Sequence, residues 1–156
     1  MAGTTTNLDL QLLDPSQSQP EVPINDAFNK IDAAVHAAAA APVILQLMCS
    51  DLVTALAVAA SVAYARSPHA FTLTAVRASV LVASSSGLPT VDIKKNGVTV
   101  LSTALSIDSG ANTSVGAATP AVISVPAIAD DDLLTVDITG AGTGTKGLIV
   151  TLIGHV

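Results

Sequence analysis

An all-β fold is what this sequence predicts: a jelly-roll-like antiparallel β-sandwich preceded by an extended leader and one short α-helix. Three observations carry it. Beyond Pro42 the apolar residues recur at a spacing of two, the period of a half-buried strand. Clusters of Gly, Pro, Ser and Asn punctuate those runs at short intervals. No helix-length pattern follows Pro42, and many short strands joined by such turns indicate a sandwich.

The elements divide into residues 1–42, a leader and helix, and residues 43–156, the sandwich. In the leader, Pro15, Pro20 and Pro23 forbid a continuous helix, and Ser16-Gln17-Ser18-Gln19 is polar and low in complexity. A helix is predicted next, capped by Asn25 or Asp26. Ile24, Phe28, Ile31 and Val35 recur at helical spacing, with Ala27 and Ala34 beside them, and form one apolar stripe. The alanine run 37–41 extends the helix and Pro42 ends it. So short a helix needs a surface to dock on, so Ile24, Ala27, Phe28, Ile31, Ala34 and Val35 are the candidate anchoring residues.

The stretch 43–65 has the length of a membrane span, but Asp51 and scattered polar residues interrupt it. Two strands around Cys49-Ser50-Asp51 fit better, and no membrane insertion is expected. Phe71, Leu73, Val76, Val80 and Val82 predict a strand with a phase slip near Ala75, the mark of a bulge. Val91 and Ile93 lead through Asn96-Gly97 to Val98 and Val100, a strong hairpin signal. Further strands are predicted around 105–107, 122–125, 134–138 and 148–153. Val91-Asp92-Ile93 is echoed by Val136-Asp137-Ile138, which is either a chance match or a sign of pseudo-equivalent strands in two halves of the sandwich.

Composition narrows the function. Half of the residues are hydrophobic and 12% charged, so a packed core is expected rather than disorder. The apolar residues are mostly Ala and Val, with Phe28, Phe71 and Tyr64 as the aromatics, so stability is expected to draw on partner subunits. The net charge is −6, and the six Lys and Arg are scattered, which disfavours nucleic acid as a partner. Residues 1–7 are small and polar, and no signal peptide is expected. The lone Cys49 reads as a buried apolar thiol.

Catalytic groups are sparse. His36, His69 and His155 do not stand at metal-ligand spacing from Cys49 or a carboxylate. Asp130-Asp131-Asp132 lacks the alternation of a calcium loop and reads as a solvated turn. Gly140-Ala141-Gly142-Thr143-Gly144 lacks the Lys-Ser or Lys-Thr of a phosphate loop. No catalytic residue, metal or cofactor is expected, and the chain reads as a non-enzyme.

Two stretches carry a resemblance. Thr5-Thr6-Asn7-Leu8, Gln17-Ser18-Gln19-Pro20, Asn25-Asp26-Ala27-Phe28 and Ile31-Asp32-Ala33 resemble the N-terminal segment of phage tail-fibre and gene-transfer-agent proteins of alphaproteobacteria, departing mildly at Ser18, Asp26 and Ile31. Arg66-Ser67-Pro68-His69, Asn96-Gly97-Val98, Ala117-Ala118-Thr119-Pro120, Ile128-Ala129-Asp130-Asp131 and Lys146-Gly147-Leu148 are similar to a recurrent module of phage virion proteins, in which Tyr is usual where His69 stands. The resemblance implies a virion fibre or spike subunit, a homotrimer on the surface of a phage or phage-like particle. It would attach through its N-terminal segment to capsid, portal-tail or baseplate proteins and meet the host, with a cell-surface glycan as the candidate ligand. The contact loops would be Ser84–Leu88, Gly110–Gly116 and Gly140–Gly144, with Ser85, Ser86, Asn112 and Thr143 as candidate ligand residues. The alternatives are a capsid decoration (cement or head-fibre) protein and a free carbohydrate-binding module.

Overall fold

The computed structural model describes residues 26–33 and 41–156. The chain divides into two units, Met1–Ala41 and Pro42–Val156. In the first, residues 26–33 form helix α1, with Phe28 and Ile31 exposed and Ala27 half-buried. Residues 34–40 of the expected extension, and the anchoring residues Ile24, Ala34 and Val35, lie outside the described residues.

The second unit is an antiparallel sandwich of β1 (Pro42–Met48), β2 (Ala59–Arg66), β3 (Phe71–Ser79), β4 (Thr90–Lys95), β5 (Val98–Thr99), β6 (Leu101–Thr103), β7 (Leu105–Ser106), β8 (Val122–Ile123), β9 (Ala127–Ile128), β10 (Leu133–Gly140) and β11 (Ile149–His155). One sheet has the order β1-β11-β3-β9; the other has the order β2-β10-β4-β5, with β7 also on β4. The short strands β6 and β8 pair separately. Pairing joins β1 to β11, β2 to β10, β3 to β9 and β4 to β5 and β7. That is a long hairpin rolled up so that successive pairs alternate between sheets, the jelly-roll topology.

Alternation sets the core. Val43 and Leu47 of β1, Leu73 of β3 and Val150 and Leu152 of β11 face inward from one sheet. They meet Val91, Ile93, Leu134, Val136 and Ile138 from the other in a single cluster. The aliphatic side chains are small but fully enclosed, and together they exclude water from both sheets.

The predicted local features have physical counterparts. Ile153 pairs with Ala75 and Gly154 with Leu73, leaving Thr74 as the extra residue of a bulge beside Ala75. Asn96 and Gly97 have φ of 49° and 86°, the left-handed pair that a tight two-residue hairpin demands. Pro42 is the first residue of β1, at a position where a missing donor costs no ladder bond to a sheet interior.

The sequence echo falls on paired strands. Val136 pairs with Ile93, Asp137 with Asp92 and Ile138 with Val91, so the two triplets are neighbours in one sheet. Like charges directly opposite are unfavourable. The repulsion is relieved because Lys94 Nζ lies 2.6 Å from Asp137 Oδ2 and Thr99 Oγ1 donates to Asp92 Oδ1.

Candidate functional site

The jelly-roll winding gathers the β1–β2, β3–β4, β7–β8 and β10–β11 connections at one end. Gly147 N donates to Asp51 O at 3.1 Å, Leu56 N to Thr145 O at 2.8 Å, Leu81 N to Lys146 O at 2.9 Å and Gly110 N to Ser84 O at 2.8 Å. All three predicted contact loops therefore meet in one rim.

Ser84 is the hub. Its buried hydroxyl donates to Ser86 O at 2.6 Å and accepts from Thr143 N at 2.9 Å. Ser85 N donates to Thr143 O at 3.0 Å, and Thr143 N to Ser86 O at 2.9 Å. The Ser86 and Thr143 hydroxyls bond to each other at 2.9 Å. Gly142 allows this closeness: a Cβ there would stand 2.8 Å from Ser84 Cβ, and its φ of 64° suits glycine. Ser85, Ser86 and Thr143 are thus brought together as predicted contact residues.

Asn112 stands apart from that hydroxyl cluster. Its Nδ2 donates to Val80 O at 3.0 Å and Leu81 O at 3.2 Å, and its own carbonyl accepts from Val80 N at 2.9 Å. It stitches the β7–β8 connection to the end of β3. The three contact loops carry hydroxyls and no charged side chain and are held by their own hydrogen bonds, which suits them to a neutral polar ligand with complementary donors and acceptors.

Elsewhere, polar groups are engaged structurally. Asp132 accepts from Ala129 N at 2.7 Å and Asn96 Nδ2 at 2.6 Å, and these bonds hold its carboxyl below the usual range. Asp131 pairs with Arg66 at 3.1 Å. The aspartate run thereby locks the β9–β10 turn against the β4–β5 hairpin. His69 Nδ1 lies 3.1 Å from Ala70 O, and its ring meets Phe71 edge-on. Cys49 is buried, and desolvation pushes its thiol up to about 11. Among the described residues no group of three His, Cys, Asp or Glu side chains is placed to hold a metal, and no helix is long and apolar enough to cross a membrane.

The two outer sheet faces differ. On the sheet β2-β10-β4-β5, Tyr64 and Lys94 flank Thr135 in one row, and the Asp92–Asp137 pair forms another. Asp137 is held below the usual carboxylate range by Lys94 and by the Ser61 N–H at 2.7 Å. On the sheet β1-β11-β3-β9, Ile44 pairs with Ile153 and Met48 with Ile149. Ile44 is 65% exposed and Met48 69%, so an apolar face meets solvent. At its end, Leu52 and Leu81 are exposed on either side of Gly147.

Sequence reasoning missed this face. The available signal is that Val43-Ile44-Leu45 and Leu152-Ile153 are continuously apolar, the pattern of strands covered on both sides. Comparison with protein-family models and with curated proteins found no match.

Proposed function

We propose that this chain is a structural subunit of a phage or phage-like particle, a fibre or spike protein that attaches through its N-terminal segment and offers its jelly-roll rim to the host surface. The observation that carries the reading is the convergence of three uncharged, hydroxyl-bearing loops, residues 84–88, 110–116 and 140–144, into one rigid rim. Such a rim suits weak contact with neutral glycan hydroxyls. Copies on one particle, three per appendage as the resemblance implies, multiply weak contacts into useful avidity. Two features support adhesion over turnover: the Ser86 and Thr143 hydroxyls bond to each other, and His69 and Asp131 bond to Ala70 O and Arg66.

The test is immunogold labelling and peptide mass spectrometry of purified particles. Label on thin appendages, together with loss of host-cell adsorption in Ser86→Lys and Thr143→Lys particles, is the expected result. Particles that lack the chain would sink the reading. Capsid decoration is the second reading, favoured by the apolar face at Ile44 and Met48, which suits adhesion to a protein lattice. Label spread evenly over the head would identify that role.

A further inference from the structure

We infer that β1 is a pairing edge: two copies of this chain join through their β1 strands, antiparallel across a two-fold axis at Gln46. The inference goes beyond the virion reading and does not rest on it.

An open sheet edge is a template for another strand, and proteins ordinarily guard it with short strands, bulges or charges. Among the described residues, the two large sheets end in β1 and β9, and in β2 and β5. Strands β9 and β5 are each two residues long. Strand β2 is guarded by a register break opposite Val136 and Ile138, by the left-handed Ser61 at φ 50°, and by Arg66. Strand β1 has none of these devices along its body. It runs seven residues without a charge, and its register with β11 is unbroken from Pro42 to Met48.

The backbone ladder selects the partner and the axis. Cys49 N donates to Leu148 O at 2.9 Å, so residues 49 and 148 are a hydrogen-bonded pair. Antiparallel alternation then turns the polar groups of Val43, Leu45 and Leu47 toward β11 and those of Ile44, Gln46 and Met48 toward the open edge. Ile153 agrees with this parity, since its carbonyl accepts from Thr74 Oγ1 on the opposite side at 3.1 Å.

A second β1 placed antiparallel, with Gln46 against its twin, satisfies all three residues. Ile44 then pairs with Met48, and each of the three pairs exchanges two hydrogen bonds. Moving the axis to Leu45 would set Met48 against Pro42, which has no N–H to give. On the exposed face the same arrangement packs Ile44 on Met48 and lets the two Gln46 amides bond to each other. No charge on the strand opposes its own copy, despite the net charge of −6. The strand is self-complementary, as an isologous contact requires.

The experiment is size-exclusion chromatography with light scattering on the full chain at micromolar concentration, with far-UV circular dichroism as a check on folding. The wild type is expected at two copies, or at six if the trimer of the proposed appendage is itself paired through β1. Gln46→Lys and Gln46→Glu each set like charges across the axis at an exposed position, and each should halve the mass with the spectrum unchanged. Mixing the two variants in equal amounts should restore the paired mass, because opposite charges then meet. A wild type that runs as one copy or an odd number, as it would if β1 awaited a strand of another protein, overturns the inference. So do variants that keep the paired mass, or a mixture that fails to recover it.

Discussion

Thr145 is fully buried, and its Oγ1 is the buried side-chain oxygen without a hydrogen-bond partner among the described residues. An unpaired hydroxyl in a dry site is costly, and an apolar isostere removes that cost. Thr145→Val is therefore expected to leave the rim intact and to stabilise the fold by about 1 kcal/mol, read as a higher urea midpoint. Asp137 makes the opposite case. Its carboxylate is tied to Lys94 Nζ and to Ser61 N, and both bonds hold its folded pKa below the ordinary value of 3.8. A lowered folded pKa means that the unfolded chain takes up the proton first. This stabilisation is therefore present above about pH 4 and is lost as pH falls through the folded value. Asp132 and Asp51 act in the same direction, through bonds from Ala129 N and from Thr54 N. Urea midpoints measured from pH 6 down to pH 2 should fall, and Asp137→Asn should make that fall shallower. Cys49 operates at the other end of the scale. With its folded value raised from 9.0 to about 11, stability is complete below pH 9 and declines as pH rises toward 11. Cys49→Ala should flatten that alkaline decline in the same titration.

Among elements, the close packing of β11 against β3 rests on Gly154. A side chain there would run into Thr72 O and stand 2.6 Å from the Phe71 ring. A glycine inside a strand often marks such an approach, and here it sits beside the Thr74 bulge. Gly154→Ala should destabilise the sandwich by about 1–3 kcal/mol, seen as a lower thermal midpoint. The Asn96-Gly97 hairpin was legible from two residues because the turn is local and its left-handed backbone excludes most side chains. β9 was not legible. Its two residues, Ala127 and Ile128, are a strand because Phe71 and Thr72 lie beside them, more than fifty positions earlier in the chain.

For the molecule as a whole, the pairing of β1 with β11 joins the two ends of the β unit, and every residue of the core cluster lies between Val43 and Leu152. Residues 42–156 therefore carry a core of their own and should fold without the rest of the chain, in one cooperative urea transition. Because these contacts are far apart in sequence, refolding should take milliseconds to seconds rather than microseconds, which stopped-flow circular dichroism would measure. The candidate rim is likewise a long-range product. Ser85 and Thr143 are sequence-distant, and only the winding of the strands sets one against the other.

Period and turn chemistry, which depend on neighbours along the chain, determined from sequence alone that this is an all-β protein, where its longer strands run, where β3 bulges and where β4 turns into β5. Tertiary structure decided what those local signals cannot encode. Pairing made Val91–Ile93 and Val136–Ile138 neighbours, and winding collected three separate loops into one rim. Among the described residues, the same closure left the uncharged edge of β1 without a pairing strand and Ile44 and Met48 exposed. The physical reason is that alternation fixes which side chains share a face of a strand, while only the closed sandwich fixes which faces and edges are covered.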